Sequence, residues 1–154
     1  MNNLLPFADL SQINLEIVAN AIKGLRRHRK FDPDFKKQWM AGLLNPEYLQ
    51  ARGSLCKLRS VKIRGKLTGE SKRGYCCLGL AMKLQGYTPQ RMGSNGMPYT
   101  LHPQPQTCEL MLGNGGEGMR LESDMKAVMG LFAELNDIHK FTFQQIATVI
   151  RDNF

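Results

Sequence analysis

The segment Tyr75-Cys76-Cys77-Leu78-Gly79-Leu80-Ala81-Met82-Lys83-Leu84 is apolar at nearly every position and lies between polar flanks. A stretch that is apolar all round has no face to give to water, so other elements must wrap around it. Its length suits a buried helix closed by Gly86, where a left-handed cap is wanted; a buried strand is the competing reading. A chain of 154 residues can supply the wrapping as one domain, because a domain of about 150 residues buries roughly 70% of its unfolded surface.

The flanking sequence defines the wrapping elements. Between Ser11 and Arg29, Ile13, Ile17, Val18, Ala21, Ile22 and Leu25 recur at helical spacing and predict a first helix. Its last turn, Arg26-Arg27-His28-Arg29-Lys30, complements the negative end of the helix dipole. Asp32-Pro33-Asp34 reads as N-cap, first-turn proline and first-turn acid of a second helix. That helix buries Phe35, Trp39, Leu43 and Met40 and ends near Asn45-Pro46. From Ser123 to Leu135, Met125, Val128, Met129, Phe132 and Leu135 form another inner face, which Asn136-Asp137 breaks. Thr142-x-x-Gln145 is a capping box with Phe141 and Ile146 as its hydrophobic staple, so a last helix starts at Phe143 and buries Ile146, Val149 and Ile150.

Strands are expected elsewhere. In the stretch from Gly53 to Gly74, Lys57, Arg59, Lys62, Arg64 and Lys66 alternate with Leu58, Val61 and Ile63, which is the period of a ribbon with one charged side. A slip at Ser60-Val61 implies a bulge or turn, and Thr68 to Gly74 reads as a surface loop. Residues 86–121 are rich in Gly, Pro and Asn, with turn signals at Asn95-Gly96 and Asn114-Gly115, and predict a small antiparallel sheet. The expected class is α+β: a single domain of about five helices packed on that small antiparallel sheet.

In order along the chain come Trp39 on its helix, Tyr48-Leu49-Gln50-Ala51-Arg52-Gly53-Ser54-Leu55, the Cys76-Cys77-Leu78-Gly79 helix, Leu135-Asn136-Asp137, and Phe143-Gln144-Gln145-Ile146-Ala147-Thr148-Val149-Ile150. With these the chain resembles an uncharacterised family common in tailed phages, prophages and their bacterial hosts. The resemblance spans most of residues 36–150, and departs from the family pattern in the basic insert before Tyr75 and in residues 86–121. It implies a small accessory protein working in the host bacterial cytoplasm, with host modulation or anti-defence activity as a fitting role. It carries over no reaction.

Composition limits where the chain can work. No apolar run approaches the ~20 residues that span a bilayer, so no membrane partner is expected. Met1 to Phe7 lacks a basic region, a long apolar stretch and a cleavage site, which points to the cytoplasm. Cys56, Cys76, Cys77 and Cys108 follow no disulfide spacing and are expected as free thiols. The net charge of +8 is uneven: residues 1–83 hold 16 Lys/Arg against 6 Asp/Glu, and residues 84–154 hold 5 against 7. One face should therefore meet an acidic partner.

Four constellations could carry chemistry. A thiolate at Cys76 or Cys77 would be stabilised at a helix N-terminus, with His102 or His139 as base and Asp137 or Asn136 to orient it, giving a thiol-dependent hydrolase or transferase. The alternative is two small apolar residues in the core. Zinc would need Cys56, Cys76 or Cys77, Cys108 and His102 to converge without any paired ligand spacing, so no metal is expected. Gly113-Asn114-Gly115-Gly116-Glu117-Gly118 matches a dinucleotide pattern only formally, because Met119-Arg120-Leu121 separates it from a helix; no cofactor is expected. The remaining constellation is basic: Lys57, Arg59, Lys62, Arg64, Lys66, Lys72 and Arg73, with Arg120 beside the glycine loop, can bind a phosphate-bearing or acidic ligand, whether nucleotide, nucleic acid or acidic host protein. With only Tyr75 near by, such binding should be sequence-blind and salt-sensitive. A non-enzymatic binding protein is the leading expectation, and a structural phage component that assembles into an oligomer is a third class.

Overall fold

The apolar segment is a helix at the centre of the molecule. In the computed structural model, which describes residues 3–23, 25, 31–86 and 121–154, every residue from Cys77 to Met82 in α3 (Cys77–Leu84) is buried. Cys76 caps this helix, its Sγ accepting the Gly79 N–H at 3.3 Å. Gly86 follows the C-cap Gln85 with φ +87°, the left-handed turn that glycine adopts without strain. Gly79 is needed for a different reason. A Cβ there would lie 1.8 Å from the Leu55 carbonyl oxygen, so only glycine lets the chain entering the sheet cross the first turn of α3.

Helices surround α3. In α2 (Pro33–Leu43) the Asp32 side chain accepts the Phe35 N–H at 2.9 Å, Pro33 opens the first turn, and Phe35, Trp39 and Leu43 are buried, with Met40 half-buried. Trp39 donates its indole N–H to the Cys77 carbonyl at 3.0 Å, which ties α2 to the start of α3. α4 (Leu121–Ala133) brings Phe132 edge-on to Trp39 at 4.9 Å between ring centroids. α5 (Phe143–Asn153) begins at the Thr142 capping box, with both reciprocal bonds formed and Phe141 and Ile146 buried beside it. Its inner face is Ile146, Ala147, Val149 and Ile150. Phe31, Phe35, Trp39, Phe132 and Phe154 make a contiguous aromatic cluster within this shell.

Two helical expectations need correction. The single helix from Ser11 to Arg29 is instead a 3-10 turn, Leu10–Gln12, followed by α1 (Leu15–Lys23). Ile13 is extended between them, at φ −112° and ψ 127°. Asn14 is responsible: its side-chain oxygen accepts the N–H groups of Glu16 at 3.1 Å and Ile17 at 3.2 Å, the bonding of an N-cap that starts a fresh helix. Residues 26–30 lie outside the described part. At the other end Asn136-Asp137 does not break the chain path. α4 runs on into a π-helical turn, Glu134–Ile138, closed by the His139 N–H on the Glu134 carbonyl at 3.0 Å.

Among the described residues the sheet is mixed and has three strands, the last in the chain lying between the first two. β1 (Leu49–Gln50) runs parallel to β3 (Lys66–Tyr75), and β2 (Cys56–Ile63) is antiparallel to it. The stretch Thr68 to Gly74, expected as a loop, is thus the second arm of a β-hairpin. Its turn lacks the usual sequence signal of a hairpin. Arg64 and Gly65 both have positive φ, 50° and 79°, which is the tight two-residue turn matched to ribbon twist, with arginine where asparagine would announce it. The slip expected at Ser60-Val61 is a register shift between Ser60 and Lys62, across from Gly69 at φ +78°. The antiparallel sheet expected for residues 86–121 lies outside the described residues apart from its two end positions.

Candidate functional site

The hairpin leaves the body of the molecule. Its base is buried, with Cys56, Gly74 and Tyr75 against the core, but from Lys57 to Lys72 every residue is exposed except the half-buried Val61. Ladder partners share a face of a sheet, so the register sorts the side chains. Lys57, Arg59, Lys66 and Lys72 fall on one face, together with Ile63. Lys62 and Arg73 fall on the other, together with Leu58, Leu67 and the paired Ser60 and Ser71. Arg64 stands in the turn. The single charged side expected from the alternation is thus corrected: the register shift after Ser60 leaves the cations gathered on one element but divided between its two sides, and Glu70 is the single acid between Cys56 and Tyr75.

Not all of these cations are free. Lys57 donates to the Arg52 carbonyl at 2.7 Å, Arg59 to the Gln50 carbonyl, and Arg73 approaches the Cys56 sulfur at 3.9 Å. These three stiffen the base. Among the described residues, no hydrogen bond or ion pair holds the side chains of Lys62, Arg64, Lys66 and Lys72. Leu58, Ile63 and Leu67 are each more than 60% exposed on the same ribbon. Arg120 lies outside the described residues.

The thiols are placed very differently. Cys76 and Cys77 have no exposed surface, and the Cys77 Sγ–H donates to the Phe132 carbonyl at 3.4 Å. Burial pushes the Cys77 thiol well above its ordinary range, and the neighbouring Cys76 and Asp137 push it the same way. Asp137 accepts the Gly53 N–H at 3.0 Å and the Asn136 amide at 2.6 Å. His139 turns to Glu134, 3.0 Å away at the surface. His102 and Cys108 lie outside the described residues, as does the Gly113 to Gly118 loop. Among the described residues no group of three or more His, Cys, Asp or Glu side chains could hold a metal ion.

A partly buried polar network, which local periodicity does not predict, joins two of the short motifs. Gln50 donates to the Asn136 side-chain oxygen and to the Phe141 carbonyl, both at 2.8 Å, and accepts the Phe143 N–H at 3.2 Å. Asn136 donates to the Ala51 carbonyl at 3.0 Å, and Arg52 donates to the carbonyls of Asn136 and Lys140, each at 3.0 Å. The Tyr-x-Gln-x-x-Gly segment is thereby locked to Leu-Asn-Asp, as the Trp39 helix is to the Cys-Cys-Leu-Gly helix. The signal was present in the motifs themselves, whose polar residues bond one another across the core. A shallow apolar groove of about 180 Å³ between α1 and α5, lined by Leu10, Ile13, Val18, Ile22 and Val149, touches neither thiols nor hairpin.

Fold and site together define a small α+β body that carries a projecting basic hairpin. Comparison with known protein families, with curated proteins and with solved structures gives no match. No helix among the described residues is long and apolar enough to cross a membrane.

Proposed function

We propose that this chain is a binding protein of phage type that uses the hairpin to engage a phosphate-bearing or acidic target in the host cell, with antagonism of host defence as its role. The observation that supports this reading is the ribbon itself: seven Lys and Arg against one Glu between Cys56 and Tyr75, on arms that stand clear of the core. Solubility needs no such concentration of charge on one element, and a fold-stabilising role would have paired Lys62, Arg64, Lys66 and Lys72, whose side chains make no hydrogen bond or ion pair among the described residues. The thiol-dependent alternative meets an obstacle in Cys77, where burial holds the proton on sulfur and a backbone carbonyl accepts its bond.

The test is a titration of the whole protein with labelled nucleic acid, a nucleotide and an acidic polypeptide at two salt concentrations tenfold apart. Affinity for at least one of them should fall steeply with salt, linearly on a double-logarithmic plot. Affinity that is unchanged by salt, or an absence of binding to all three, removes the proposal.

A further inference from the structure

Resting on the reading of the hairpin as an anion-binding element, we infer that its target is duplex nucleic acid and that the ribbon enters a groove. The division of the charges carries this inference. Of the cations that no hydrogen bond or ion pair holds among the described residues, Lys66 and Lys72 project from one face and Lys62 from the other, with Arg64 at the tip. A flat acidic surface, whether protein or membrane, meets one face of a ribbon and leaves the second in water. A groove has a phosphate wall on each side, and both faces then find partners.

Dimensions and side-chain chemistry agree. Paired strands lie about 4.8 Å apart, and a major groove about 12 Å wide admits a two-stranded ribbon. The exposed Ile63 pairs with Lys66 directly beside the Arg64-Gly65 turn, so an apolar group flanks the end of the ribbon that would reach base edges such as thymine methyls. Residues 57–74 contain no aromatic side chain, which leaves nothing on the ribbon to stack unpaired bases. The single acid, Glu70, sits in the irregular stretch around Gly69 rather than in the regular ladder. Readout by such a ribbon would be dominated by phosphates, so different duplex sequences should bind alike.

The experiment compares the full chain with Lys62→Ala, Lys66→Ala and Lys72→Ala variants, all exposed positions whose loss leaves the core intact. Anisotropy titrations use a labelled duplex of about 20 base pairs, the matching single strand, polyglutamate and phosphatidylserine vesicles. The duplex should bind most tightly, and each substitution should reduce the slope of log affinity against log salt by about 0.9, whichever face it comes from. A slope change confined to Lys66 and Lys72, with Lys62→Ala silent, overturns groove entry in favour of a one-sided contact. Tighter binding to the single strand, polyglutamate or vesicles overturns the duplex assignment and leaves the wider anion-binding reading standing. Failure to bind any of the four overturns both.

Discussion

Asn136 is fully buried, and both ends of its amide are used: the oxygen by Gln50, the nitrogen by the Ala51 carbonyl and Asp137. An apolar side chain of similar size would fill the space but leave the Ala51 carbonyl without that donor. We expect Asn136→Leu to lower stability by about 3 kcal/mol, the cost of stranding buried polar groups; urea denaturation checks it, and a loss below about 1 kcal/mol would show the network to be dispensable. Cys77 makes a second case at this scale. Its folded pKa is raised chiefly by burial, so the neutral thiol is favoured in the folded chain. The associated stability is fully present below the unfolded thiol's pKa of about 8.5 and is lost as pH climbs towards the raised folded value. Urea midpoints should therefore decline above that pH, and the decline should be shallower in Cys77→Ala. Equal decline in both would acquit this sulfur. Neither residue's surroundings were legible beforehand. Local periodicity makes Asn136 a helix breaker because it says nothing of a partner 86 residues away, and the two cysteines suggest a helix N-terminus that the structure does provide, though beneath the surface.

At the scale of elements, what was legible followed the caps. Asp32-Pro33 opens α2 and the Thr142 capping box opens α5 where the sequence places them, because a cap is a local hydrogen-bond arrangement written in adjacent residues. β3 was missed for the complementary reason. Thr68-Gly69-Glu70-Ser71 has loop composition, and it becomes a strand only through pairing with β2, a non-local bond pattern. The hairpin arms contribute little to the core, since an isolated two-stranded ribbon is marginal in water. Replacing residues 61–70 by Asn-Gly, which would join the facing Ser60 and Ser71 by a two-residue turn, should leave the melting temperature within about 3 °C of the parent. The same change removes Lys62, Arg64 and Lys66 and should flatten the salt dependence of polyanion binding by roughly three phosphate contacts. Thermal melting and anisotropy read the two effects separately; a collapse in melting temperature would mean that the arms do support the body.

For the whole molecule, the α+β class and the helices of the described residues were readable from apolar spacing, as was the excess of positive charge before residue 84, whereas the parallel strand β1 and the second hairpin arm of the mixed sheet were not. The two-sided arrangement of that charge was not, because it depends on a turn and a register shift that decide which way each lysine projects. The short motifs meet one another across the core, while the basic insert projects away from them. The lone tryptophan, packed against Phe31, Phe35 and Phe132 with its N–H on a main-chain oxygen, is thus an optical gauge of the interior alone. Its emission should be blue-shifted and inaccessible to acrylamide until the chain unfolds, and indifferent to saturating polyanion. A red shift on adding polyanion to the native protein would reveal a mechanical link from arm to centre.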